Sequence, residues 1–361
     1  MKRVYNFNAG PCTLPLPVLE QVKEEFLDYQ GKGMSIVEMS HRSKEYEDIQ
    51  FGAASMISQL YDLPDNYKVL FLGGGATMQF SMIPLNLLPE GRSCDFTVTG
   101  SWSKKALADT RKVGKVNVVF DGEKDNYMAL PDPASLKLDP QAAYLHITSN
   151  ETIGGVEWPN FPESGKVPII CDMSSDFASR RLSLERFGMI YAGAQKNAGP
   201  AGVTIVILRD DLLERCPETL MAYLSYKIHA AKDSMYNTPP VFAVYMLKLV
   251  MEWLLKKGGL AAAEKMAAER SGLVYGAIEK NSAFYRCPVA ENCRSKMNVV
   301  FRLPTEELEN KFVAEAAAGS MIGLKGHRSV GGCRASIYNA MPIAGVKALA
   351  DLMNDFAAKS G

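Results

Sequence analysis

No two cysteines stand at C-x-x-C spacing, so the close thiol pairs that build zinc sites are missing. The seven cysteines (Cys12, Cys94, Cys171, Cys216, Cys287, Cys293 and Cys333) are scattered and odd in number. A disulfide framework is therefore excluded, and free thiols in a reducing cytoplasm are expected. No run approaches the roughly 20 apolar residues of a membrane span. The opening MKRVYNFNAGPCTLPLP carries no apolar core of the signal-peptide kind. Neither sign of charge is in excess: 40 Lys and Arg face 40 Asp and Glu, so no polyanion-binding surface is implied. Internal repeats and low-complexity linkers are absent. These absences leave a cytoplasmic protein that handles small molecules, with no nucleic acid, membrane or metal partner.

The 361 residues, 47% hydrophobic and 22% charged, suit one large domain with a smaller one. Pro17 suits the first turn of a helix with Val18, Val22, Phe26 and Tyr29 as its buried stripe, ended by Gly31 and Gly33. A second helix is striped by Tyr46, Ile49, Ala53, Met56, Ile57 and Leu60. From residue 67 apolar runs alternate with helical stretches: YKVLFL, DFTVTG, VNVVF, AAYLHIT, VPIIC, GMIYAGA and VTIVIL read as strands. That alternation predicts an α/β domain with a mainly parallel sheet covered on both faces. After the apolar helix VFAVYMLKLVMEWLLKK and Gly258-Gly259, the remainder predicts a smaller α/β unit. Its elements are helices, a strand at NVVFRL, strands around GLKGHR and CRASIY, and a last helix striped by Val346, Leu349, Met353 and Phe356.

Chemistry concentrates at the strand ends. Asp172 directly follows an apolar strand, and Lys196 follows another inside a Gly/Pro-rich turn. Open α/β sheets bind ligands at the carboxyl ends of their strands. Pyridoxal phosphate needs both groups: a lysine for a Schiff base, and an acid that keeps the pyridine nitrogen protonated so that the ring accepts electrons. Taken alone, such a pair is more often a solvated lysine and a helix cap. Gly73, Gly74 and Gly75 lead into a helix near Ala76-Thr77, where free N–H groups and a positive dipole end suit a phosphate. GGGATM lacks the third glycine of a dinucleotide fingerprint and the Gly-Lys-Ser/Thr of a Walker loop. Trp102 could stack on a planar ring or sit in the core. Arg334, after Gly331-Gly332, has the planar fork that pairs with a carboxylate. His-Arg pairs at His41-Arg42 and His327-Arg328 are candidate anion sites in a chain with four histidines.

In order, NFNAGPCTLP, MSIVEMSHRSKEY, GSW, SNETIGG, CDMSSD, AGAQKNAGPAG, MYNTPP and LKGHRSVGGCRASIYNA resemble the phosphoserine aminotransferases, a group of fold-type I pyridoxal-phosphate-dependent aminotransferases. The likeness runs from about residue 5 to the last helix. It implies that Lys196 is the Schiff-base lysine and Asp172 the partner of the pyridine nitrogen. Trp102 would stack on the ring, and Thr152 would sit near the ring hydroxyl. Ala76, Thr77, Ser174 and Gln195 would surround the phosphate, with Asn237 and Thr238 arriving from the neighbouring subunit of a homodimer that shares its active sites. Arg334 would hold the substrate α-carboxylate, while His41, Arg42, His327 and Arg328 would face the distal anion. Some relatives carry arginine where this chain has Thr77, so that charge is missing here.

The expected architecture is a fold-type I large domain, residues 16–255, and a small α/β domain from residues 1–15 and 256–361. The expected reaction is reversible amino transfer between glutamate and 3-phosphohydroxypyruvate, giving O-phosphoserine and 2-oxoglutarate in serine biosynthesis. Phosphohydroxythreonine, a substrate of some relatives in pyridoxine biosynthesis, is left open. The alternatives are another fold-type I enzyme of the alanine–glyoxylate aminotransferase type and, from a different class, a nucleotide-binding protein without a Schiff base. A cysteine desulfurase is disfavoured because Gln195 precedes the lysine where that group has histidine.

Overall fold

Seven short apolar runs build the central sheet of the computed structural model, which describes residues 3–361. Their order in space is Tyr67–Leu72, Thr204–Arg209, Phe187–Gly193, Ile169–Asp172, Leu145–Thr148, Ser93–Val98 and Lys115–Asp121. Thr204–Arg209 runs antiparallel to both neighbours, and the other pairings are parallel. The middle strands are buried along their whole length, as a sheet covered on both faces requires.

Alternate side chains divide between two cores. Ile169, Cys171, Ile205 and Ile207 pack with the helices Leu16–Glu25, Lys44–Tyr61 and Val241–Lys256. Ile170, Val206 and Leu208 pack with the helices Gly75–Leu87 and Ser101–Val113 on the other face. A further core surrounds the antiparallel pair Asn298–Phe301 and Cys333–Ser336, covered by Glu306–Ala318 and Ile343–Ser360. Tyr5–Asn6 joins this part by pairing in parallel with Met321–Ile322. The helix Gly259–Lys280 serves two cores: Leu260 and Ala263 enter the first, while Val274, Ala277 and Ile278 enter the last.

Two local expectations change. The first helix stops at Glu25, so Phe26 lies past its end and is 40% exposed, whereas Tyr29 is buried from a separate 3-10 turn. The strand expected around GLKGHR is displaced to Met321–Ile322. Gly323, at φ +82°, turns the chain there, and only Lys325 keeps an isolated bridge, to Cys333. Val346, Leu349, Met353 and Phe356 are buried along the last helix, in line with its periodicity.

Candidate active site

Lys196 occupies the connection between the antiparallel strands Phe187–Gly193 and Thr204–Arg209. Ala194 N donates to Val203 O at 3.0 Å, and Ala198 N and Gly199 N donate to Ala194 O at 3.1 and 2.8 Å, closing the loop tightly. The N-terminal segment passes against it. A Cβ on Gly10 would come 3.1 Å from Lys196 Cγ, and Cys12 Sγ donates to the Lys196 carbonyl. Burial pushes the Cys12 thiol up to about 12, which leaves it protonated and a poor nucleophile. Lys196 itself is 9% exposed. Its Nζ donates to Thr152 Oγ1 at 2.6 Å and stands 5.1 Å from the centroid of the Trp102 ring. Burial holds its pKa below the ordinary lysine value, with Asp172 and Glu151 opposing and Arg334 adding to the depression. An amine so placed is more easily freed of its proton than a solvated one.

Asp172 is the last residue of its strand, buried, with Oδ1 accepting from Ser174 N at 2.9 Å. Burial raises its pKa, and the nearby Lys196 charge and the Ser174 donors pull it back. The backbone beneath is fixed as well: Ser149 N donates to Asp172 O at 2.9 Å. The Ser149 hydroxyl sits between that carbonyl and Asp176, whose carboxylate pairs with Arg180 at 3.2 Å. Asp176 is fully buried, and burial lifts its pKa to about 7 against the pull of Arg180.

Trp102 is the second residue of the helix Ser101–Val113, which starts where the strand Ser93–Val98 ends. The buried Glu151 carboxylate accepts from Trp102 N at 3.1 Å, Ser103 N at 2.9 Å and Ser103 Oγ at 2.7 Å. Arg334 donates from Nη1 to the Thr152 carbonyl at 3.3 Å. Arg334 Nε and Trp102 Nε1 are buried with no partner among the described residues.

Ala76 and Thr77 lie in the first turn of the helix Gly75–Leu87, where backbone N–H groups have no intrahelical acceptor. No side chain among the described residues caps this end. Gly74 precedes it at φ +84°, and a Cβ there would meet Met78 Cβ at 2.5 Å. Ser174 Oγ accepts from Gly193 N at 3.1 Å. The Gln195 side chain folds over the same glycine, since a Cβ on Gly193 would come 2.6 Å from Gln195 Oε1. His327 and Arg334 line a hollow of about 160 Å³. His327 has its pKa lowered by burial and then by the charges of Arg334, Arg328 and Lys105, so this corner attracts anions. His41 is half-buried, with Nε2 unpartnered among the described residues, and Arg42 and Arg328 are exposed. Asn237 and Thr238 are exposed and line a different hollow with Phe71, Tyr223 and His229.

The fold thus gathers Lys196, Asp172, Trp102, Thr152 and Arg334, with Ser174 and Gln195 beside them, while Asn237 and Thr238 line a hollow that includes Gly73. The residues fit pyridoxal phosphate on three counts: a buried lysine with a buried carboxylate in its field, an indole beside that lysine, and an uncapped helix N-terminus at a strand end. Glu151 and Lys105 were not anticipated. SNET and WSKK contain them in plain sight, but neither the 48-residue step from Glu151 to Ser103 nor the approach of Lys105 to His327 leaves a mark in local sequence.

The class-V aminotransferase family profile matches residues 4–349. A phosphoserine aminotransferase of Geobacillus kaustophilus is 51% identical over 356 residues, 99% of each chain. The solved phosphoserine aminotransferase of Bacillus circulans subsp. alkalophilus superposes with a TM-score of 0.98 at 48% identity, covering all of both chains. The pyridoxal-phosphate-bound phosphoserine aminotransferase of Trichomonas vaginalis gives 0.90 at 38% identity, over 97% of this chain and 99% of its own.

Proposed function

This chain belongs to the class-V aminotransferases, and from that premise we propose that it transfers an amino group between glutamate and 3-phosphohydroxypyruvate, giving O-phosphoserine and 2-oxoglutarate. The observation that carries the reading is the buried Lys196 amine in the field of Asp172, in a chain about half identical to phosphoserine aminotransferases along its whole length. The family also removes the nucleotide-binding alternative. When bound, pyridoxal phosphate supplies an aldehyde for the amino group and a protonated ring that withdraws electrons from the substrate α-carbon.

The protein's residues do the rest. Lys196 Nζ would hold the cofactor and would move the proton at the substrate α-carbon. Asp172 holds the proton on the ring nitrogen. Trp102 would cover the ring, and Thr152 would face its hydroxyl edge. Backbone N–H groups at Ala76 and Thr77, with Ser174 and Gln195, hold the phosphate. Arg334 takes the α-carboxylate, and His327 and Arg328 take the distal anion. A homodimer supplies Asn237, Thr238, His41 and Arg42 across its interface; the exposure of Asn237, Thr238 and Arg42 supports this part. The division into residues 16–255 and residues 1–15 with 256–361 belongs to the same proposal, supported by separate apolar cores. Cytoplasmic location does too, supported by seven free thiols.

Borohydride reduction of the holoenzyme and peptide mapping test the centre of this reading. The pyridoxyl label is expected on Lys196, and Lys196→Ala is expected to lower kcat by at least ~10²–10⁴-fold. A label on any other lysine would sink it.

A further inference from the structure

Glu151 has no part in the chemistry assigned above, yet it touches the site from two directions. It stands one residue before Thr152, on the two-residue strand Asn150–Glu151 paired with Val156–Glu157. Its side chain is 1% exposed. The helix that carries Trp102 is preceded by Gly100, which has no side chain to cap it, so the N–H groups of Trp102 and Ser103 need an outside acceptor. Glu151 provides it with both carboxylate oxygens. A negative group at the positive end of a helix gains from the dipole, and its hydrogen bonds are of the stronger, charge-assisted kind. Gly100 makes the approach possible, because a Cβ there would come 2.5 Å from Glu151 Cδ.

We propose that Glu151 is a positioning residue of the amino-transfer site. Its carboxylate locks the start of the Trp102 helix to the Thr152 segment, so that indole and hydroxyl keep one fixed geometry about Lys196 Nζ. Both are at that nitrogen: Thr152 Oγ1 at 2.6 Å and the Trp102 ring centroid at 5.1 Å. Without the lock, the indole loses its register with the cofactor ring while the rest of the sheet stays intact. This inference rests on the cofactor-facing roles proposed for Trp102 and Thr152.

The test uses holoenzyme variants Glu151→Gln, Gly100→Ala and Trp102→Ala. Four quantities are read: cofactor dissociation constant, visible circular dichroism of the bound cofactor, the split between kcat and KM, and Tm. Glu151→Gln replaces one acceptor oxygen by a donor facing an N–H. Gly100→Ala displaces the carboxylate but retains every charge, and carries the test if Glu151→Gln does not fold. Both are expected to weaken cofactor binding about tenfold, the scale of one lost charge-assisted hydrogen bond. Both should diminish the visible dichroism and reduce kcat more than they raise KM. If Trp102→Ala changes the cofactor signals while the other two only lower Tm, Glu151 is a helix cap and the proposal is overturned. If Trp102→Ala leaves binding and dichroism unchanged, the stacking role fails first and the role of Glu151 falls with it, while the Lys196 label stands or falls independently.

Discussion

Lys196 and Arg334 meet at a single residue: the lysine donates to the Thr152 hydroxyl and the arginine to the Thr152 carbonyl. Thr152 therefore spaces the amine proposed to hold the cofactor from the group proposed for the α-carboxylate. Because every substrate has that carboxylate, Arg334→Ala is expected to reduce kcat/KM for phosphoserine, glutamate and alanine alike. A lost charge-assisted hydrogen bond costs roughly 1.5–3 kcal/mol, or about 10–150-fold. Arg42→Ala and Arg328→Ala should cost as much for phosphoserine and leave residual alanine activity almost untouched. Equal losses for all three substrates would remove these arginines from phosphate reading and favour an alanine-type enzyme. At this scale the sequence was informative where chemistry coincides with a strand end. Asp172 and Lys196 stand out because an apolar run stops immediately before each neighbourhood. Glu151 does not, because its partners come from a helix nearly fifty residues away.

Across elements, His146 links three strands of the sheet, reaching past Ile169–Asp172 to Tyr191. Its ring stacks on Phe96 at 4.4 Å and 9°, and its Nε2 lies 2.9 Å from Tyr191 Oη. Burial pushes its pKa from 6.5 down to about 3. In that window the unfolded chain binds a proton that the folded chain refuses. The stability due to the neutral ring is therefore complete above pH 6.5 and is lost as the pH falls from there toward 3, at about 1.4 kcal/mol per pH unit. His146→Gln cannot take that proton, so its Tm should decline less steeply than wild type between pH 6.5 and 4. Parallel Tm curves would show that another group controls acid lability. The strands themselves were legible because each is a short apolar run closed by polar or turn residues. The segment GLKGHR misled because alternation of character there comes from a turn, with Gly323 in a left-handed conformation, and only one bridge to Cys333 survives.

For the molecule as a whole, the exposure of Asn237, Thr238 and Arg42 within one chain acquires meaning if two chains complete each site. Mixing Lys196→Ala protein with Arg42→Ala protein under subunit exchange examines this. Random pairing puts half of the dimers in mixed form, each with one intact site and one doubly damaged site, so about a quarter of wild-type activity should return. No recovery would refute sharing of Arg42. The proposed division into two units came from the glycine pair after the long apolar helix, where the sequence changes character. That the helix Gly259–Lys280 feeds both cores was not legible there, since its apolar stripe looks the same whichever core receives it.

The antiparallel strand also sets a timetable. Tyr67–Leu72, with the glycine turn behind it, pairs in the central sheet only with Thr204–Arg209. A ribosome adding about 5–20 residues per second needs on the order of 10 s to cover that interval. Throughout it, Leu70, Phe71 and Leu72 belong to an unpaired edge, the kind of segment that neighbouring nascent chains capture. The turn proposed to grip the phosphate is thus anchored last within the large sheet. Cofactor captured during synthesis would then mark chains whose sheet is already complete, and a chain stalled before Thr204 would emerge with its lysine made and its glycine turn still unanchored.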